Sequence, residues 1–148
     1  MPLLENKTAY RDVAVEDTYE AGIELFGFEV KSIRQKNGSL KGAHVVVRGD
    51  EAFLTGAHIP PFQPANAPEE FDTYRSRKLL LHKDEIAELA TAERQSGVAV
   101  IPTKLYNNNG RIKLEVGVGR GKKEHDKRET IKRRDIKRDV DRTLKNQY

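Results

Sequence analysis

The stretch that most restricts the fold is VAVIPTKLY-NNNG-RIKLEVGVG, residues 98 to 119. Two runs rich in β-branched and apolar residues flank Asn107-Asn108-Asn109-Gly110. Asn-Gly tolerates the positive φ angles of a tight hairpin turn, so the pair reads as two long antiparallel strands. Pro102 lacks a backbone N–H, which places its segment at a sheet edge or a bulge. A second hairpin is expected in AHVVVRGDEAFLTGAHI (43 to 59), turning at Gly49-Asp50. That turn also accounts for the Arg48-Gly49-Asp50 triplet without an adhesion role.

The segment from Val13 to Ile33 reads as β throughout, with Ile23 and Leu25 on one phase and Phe28 and Val30 on the other. Gly27 stands at the change of phase and predicts a bulge or sharp bend. KNGSLKGA (36 to 43) is turn-rich, and residues 60 to 77 hold four prolines without periodicity, predicting a long mobile loop. One clear helix is expected over about residues 83 to 96: Ile86, Leu89 and Ala90 form a stripe at i, i+3, i+4, and Gly97 is placed to end it. Short strands wrapped with one interposed helix predict a mainly β chain, an OB-like antiparallel barrel of the kind that binds oligonucleotides.

Charge divides the chain. Residues 1 to 118 carry 15 Lys+Arg against 17 Asp+Glu, whereas residues 119 to 148 carry 12 against 6. The expected organisation is a barrel over 1–118 and a basic tail over 119–148. Cations that neutralise phosphates release counterions, so a near-neutral body with a cationic tail points to a nucleic-acid partner. Three acid-before-base pairs at i, i+4 (Glu124/Arg128, Glu129/Arg133, Asp141/Lys145) favour a helix, but Ile136, Val140 and Leu144 offer too thin a stripe to dock one on the body. The tail is therefore expected to be disordered when free and helical against an anionic surface.

The 148 residues include no Cys, which excludes disulfides and thiolate metal sites. The start of the chain has no basic segment followed by an apolar run, and no window approaches the length of a membrane span. A cytoplasmic monomer without membrane contact is expected. His44, His58, His82 and His125 show no ligand spacing, and VGVGRGKK fails the phosphate-loop pattern at Val116 and Lys123, so no metal and no cofactor are expected. Gly117, Gly119 and Gly121 read as a flexible exit from the last strand. No nucleophile has a recognisable base, and an enzyme is not expected.

Binding residues are better supplied. Lys31, Arg34, Lys78, Lys104, Arg111 and Lys113 lie on exposed phases or strand ends near Tyr19, Phe26, Tyr74 and Tyr106. Cations with rings suit RNA phosphates and unstacked bases. Phe26 is expected in the core, while Tyr106 fits core and surface equally.

ENKTAY, YEAGIEL with FEVKSIR, RKLLLHKDEI, LYNNNGRIK and GVGRGKKEHDKR, in this order, closely resemble the SsrA-binding protein family, also called small protein B. The resemblance spans nearly the whole chain. It implies a non-catalytic OB-like barrel that binds the tRNA-like domain of transfer-messenger RNA and delivers it to stalled ribosomes. The tail would probe the empty decoding site and message channel. The RNA-contacting positions it implies are Asn6, Glu20, Leu80 and Lys113, with Glu20 accepting from a base edge or fixing a cation, and Leu80 either touching a base or lying in the core. It also implies a decoding-site segment comprising Gly121, Lys122, Lys123, His125, Asp126, Lys127 and Arg128. His125 would stack on a small-subunit rRNA base while Lys122, Lys123, Lys127 and Arg128 meet phosphates. A structural ribosomal protein with an OB-like body and an rRNA-threading tail is the alternative.

Overall fold

The computed structural model describes residues 2–122. A seven-stranded antiparallel sheet has strand order β1-β6-β7-β2-β5-β4-β3, with β1 Pro2–Glu5, β2 Val13–Ile23, β3 His44–Arg48, β4 Glu51–Thr55, β5 Arg77–Leu80, β6 Val98–Asn108 and β7 Arg111–Gly121. Three α-helices interrupt it: α1 Lys7–Asp12, α2 Gly27–Arg34 and α3 Lys83–Arg94. The sheet curls so that β3 approaches β6, and α3 packs against both at this seam. The product is a partly open OB-like barrel around Ile33, Leu54, Leu79, Leu89, Leu105 and Leu114, all 2 % exposed or less.

Both hairpins turn where the sequence puts them. Asn109 (φ 53°) and Gly110 (φ 79°) take up the left-handed conformations of the β6–β7 turn, and Gly49 (φ 66°) lies between β3 and β4. Pro102 lies at a register shift in β6. It is a bulge rather than an edge, since β6 is flanked by β1 and β7. The expected helix is α3, its first turn closed by Glu85 accepting from the His82 N–H at 3.1 Å.

The continuous β reading of 13 to 33 fails after Ile23. Residues 27 to 34 form α2, and Gly27 opens a helix instead of bending a strand. Glu29, Ser32 and Ile33 make its inner face at i, i+3, i+4, and each is fully buried. Two of the three are polar, so hydrophobic periodicity hides the stripe. Glu29 Oε1 also accepts from the Phe26 N–H at 2.8 Å, tying the first turn.

The buried carboxylate is answered from far along the chain. Arg77 donates Nε to Glu29 Oε2 at 2.8 Å and gives its other N–H groups to the carbonyls of Ala57 (3.0 Å), Arg75 (2.9 Å) and Thr73 (3.0 Å). Arg75 pairs with the other Glu29 oxygen at 2.5 Å. Burial pushes the Glu29 carboxyl upward, but hydrogen bonds from Arg75, the Phe26 N–H and Arg77 outweigh it and hold the group below its usual range. The proline-rich segment is tied to α2 through this pair, through Ser32 Oγ donating to the Pro60 carbonyl at 2.6 Å, and through the Phe62 N–H donating to the Phe28 carbonyl at 2.9 Å.

The last strand continues to Gly121, three residues beyond the expected barrel boundary at 118. The glycines there are not a flexible exit. A Cβ on Gly117 would lie 2.8 Å from Thr103 Cγ2, and one on Gly119 would lie 1.9 Å from the Ala14 carbonyl oxygen. These positions let β2 and β7 approach closely beside the bulge between Val15 and Asp17.

Candidate nucleic-acid interface

One cross-strand row organises the outer face of the sheet. Tyr106 on β6 pairs with Lys113 on β7, Lys113 with Gly22 on β2, and Gly22 with Leu80 on β5. The next row along runs Lys104, Glu115, Glu20. Side chains two apart on a strand share a face, so Lys78 joins Leu80, and Arg111 joins Lys113. The fold thus gathers six of the eight expected RNA-binding positions, Glu20, Lys78, Leu80, Lys104, Arg111 and Lys113, on one face.

Leu80 is 53 % exposed. It leans over Gly22, where an added Cβ would meet Leu80 Cβ at 3.1 Å. Leu80 thus adds little to the core and sets an apolar group on an otherwise polar and charged face. On one side of it lies a groove of about 740 Å³ lined by Glu20, Gly22, Lys78, His82 and Lys113. Lys78 is partly engaged by Glu51 at 3.7 Å, while Lys113 has no ion-pair partner among the described residues.

Glu20 is oriented rather than loose. Asn108 Nδ2 donates to its Oε1 at 3.1 Å. Burial, a hydrogen bond to Glu20 and the Glu115 charge push the Tyr106 hydroxyl up to about 12, so it stays a neutral donor at physiological pH. A carboxylate offers about four lone-pair sites, and those left free can accept from base-edge N–H groups, whereas phosphate would be repelled. Lys104 Nζ lies 5.6 Å from the Tyr106 ring centroid, which keeps that ring beneath a cation.

Two expected positions lie elsewhere. Asn6 is 4 % exposed; its Oδ1 accepts from the Ala9 N–H at 3.3 Å as the N-cap of α1, and its Nδ2 donates to the Pro102 carbonyl at 2.9 Å. Both side-chain polar atoms brace α1 against the β6 bulge. Lys31 is exposed on α2, off the sheet face. Phe26, expected in the core, is 51 % exposed; it stacks on Phe28 with centroids 5.4 Å apart, under the Arg75 guanidinium at 4.5 Å. Phe71 completes the cluster, edge-on to Phe26 at 6.2 Å and to Phe28 at 5.0 Å between centroids.

Of the decoding-site residues, Gly121 pairs with Val13 in the sheet. The Lys122 N–H donates to the Asp12 carbonyl at 2.8 Å and its Nζ to the Tyr10 carbonyl at 3.1 Å. Lys123, His125, Asp126, Lys127 and Arg128 lie outside the described residues, as does the expected tail helix. Gly121 meets β2 at Val13 whereas the groove meets it at Gly22, so nine residues of β2, at most about 30 Å of strand, separate the root of the tail from the groove. Gly22 and Asn108 were not among the expected positions. The glycine inside a strand was a visible signal of close approach, but the Asn108–Glu20 contact bridges residues 88 apart and had none.

Among the described residues no group of three or more His, Asp or Glu could hold a metal ion, and no helix is long and apolar enough to cross a membrane. A small OB-like barrel with cations, an oriented acceptor and an exposed leucine on one sheet face defines the class as an oligonucleotide-binding β-barrel.

The family model "SmpB protein" matches residues 3–146. The SsrA-binding protein of Lactiplantibacillus plantarum is 47 % identical over 97 % of this chain and 92 % of its own length, and that of Nitrosomonas europaea is 45 % identical over 98 % and 96 %. A solved chain described as "tmRNA-SmpB: a journey to the center of the bacterial ribosome" superposes with a TM-score of 0.69 at 36 % identity, covering 88 % of this chain and 95 % of that one. The chain belongs to the SmpB family, the SsrA-binding proteins.

Proposed function

We propose that this protein is a non-catalytic adaptor that binds the tRNA-like domain of transfer-messenger RNA and delivers it to stalled ribosomes for trans-translation, in the cytoplasm. The observation that carries the reading is the row Tyr106–Lys113–Gly22–Leu80, an exposed leucine and a cation without an ion-pair partner among the described residues flanking a glycine beside an oriented carboxylate. In this reading Lys113 meets a phosphate, Leu80 touches a base or ribose, and Glu20 accepts from a base edge. Lys104 and Lys78 add cationic field at the flanks, and Lys31 adds it from α2. The placement of groove and tail root at opposite ends of β2 supports two separate engagements. The barrel holds one RNA, and residues from Lys123 onward, including His125 and Arg128, engage small-subunit rRNA at the decoding site and message channel. A ribosomal structural role is not favoured, because the named relatives are SsrA-binding proteins.

The test is a chain ending at Lys122 compared with full-length Lys113→Ala. The first should retain affinity for the tRNA-like domain and lose peptide tagging on stalled ribosomes. The second should lose affinity. Equal loss of RNA binding in both would overturn the division of labour.

A further inference from the structure

On the far side of Leu80 from the groove lies a second recess, about 310 Å³, walled by Leu25, Val30 and Ile112 and rimmed by Arg34, Arg111 and Lys113. We infer that this recess takes one unpaired RNA base, with its phosphates on the surrounding cations. The inference rests on the RNA-binding reading of the groove and adds a separate subsite to it.

Three observations carry it. The first is chemical: apolar walls within a cationic rim are what a flat, weakly hydrated base attached to phosphates requires. None of the three cations has a carboxylate partner among the described residues. The second is construction. Arg34 Nη2 donates to the Gly110 carbonyl at 2.9 Å and its Nη1 to Asn107 Oδ1 at 3.4 Å. The last turn of α2 thereby holds the β6–β7 turn, and the mouth of the recess is set by two neutral acceptors that leave the guanidinium charge uncancelled. The third is continuity: Gly22, Leu80 and Lys113 line both the recess and the groove. A strand crossing Leu80 passes from one to the other, and Lys113 sits where consecutive phosphates would straddle the leucine.

The experiment uses the full chain and a transcribed tRNA-like domain of transfer-messenger RNA. Affinity is read by anisotropy, and base accessibility by chemical probing of Watson–Crick edges. Val30→Trp fills the recess from its α2 wall, and Arg111→Gln removes a rim charge from an exposed site. Each should weaken binding about tenfold, the scale of one lost stacking contact, and each should expose the same nucleotide that the unaltered protein protects. If Val30→Trp fails to fold, Arg111→Gln and its protection pattern decide. Unchanged affinity and protection in these variants, with binding lost in Leu80→Ser and Lys113→Ala, would overturn the recess while leaving the groove intact. Unchanged binding in all four would overturn both.

Discussion

Leu80 and Lys113 stand on opposite flanks of Gly22, each in register with it, one from β5 and one from β7. Two strand spacings separate them, about 10 Å. Because Gly22 has no side chain, Leu80 can lie across β2. Leu80→Ser and Lys113→Ala should each cost RNA affinity without changing stability by more than ~0.5 kcal/mol, since neither contributes to the core. Gly22→Val should weaken RNA binding by displacing Leu80, although position 22 itself touches no base. Paired binding and thermal-melt measurements check all three.

Arg77 and Glu29 form the buried polar centre of the fold, both 0 % exposed. Arg77→Ala removes the fully buried one of Glu29's two arginine partners, leaving only the partly exposed Arg75, and should destabilise by about 3–5 kcal/mol. The folded-state value of Glu29 lies below its ordinary 4.5. Its contribution is therefore present above about pH 4.5 and is lost as the pH falls through the folded value. Glu29→Gln should flatten that part of the acid-unfolding curve, which denaturant titrations at stepped pH would reveal.

Tyr19 donates its hydroxyl to Glu88 at 2.7 Å, linking β2 to α3. That bond, with burial and the nearby acids, pushes the phenol up from 10.0 to about 12. A raised folded value gives stability that is complete below pH 10 and declines as the pH rises toward 12. Tyr19→Phe should remove its share of this alkaline loss. Tyrosinate absorbance against pH, followed with the unfolding midpoint, provides the measurement.

Gly119→Ala would set a methyl where the Ala14 carbonyl oxygen already lies. The backbone of β2 or β7 must move, so the cost should reach or exceed the roughly 1–3 kcal/mol usual for overpacking. Loss of the cooperative transition, or failure to accumulate as soluble protein, is the expected outcome.

The salt dependence of ribosome engagement separates the two ends of the molecule. If about six tail cations meet phosphates, log K should fall with log salt at a slope of roughly −4 to −5. Truncation after Lys122 should remove that slope while leaving the barrel's own RNA affinity in place.

Local chemistry alone was sufficient for several elements. The Asn109-Gly110 and Gly49 turns, the β6–β7 ladder, the bulge at Pro102 and helix α3 follow from residues close in sequence, where turn geometry and periodicity act directly. The family likeness was legible for the same reason, as ordered blocks along the chain. What the sequence could not disclose were features whose partners lie far apart. Helix α2 turns a polar face inward because Arg75 and Arg77, 46 and 48 residues away, meet Glu29 there. Asn6 braces α1 through Pro102, 96 residues distant, a contact no local pattern announces. Leu80 reads equally as core or surface until Gly22 is found beneath it. A chain fixes its short-range geometry residue by residue, but burial is a property of space, so which polar groups go inside and which leucine stays outside was decided only when distant strands came together.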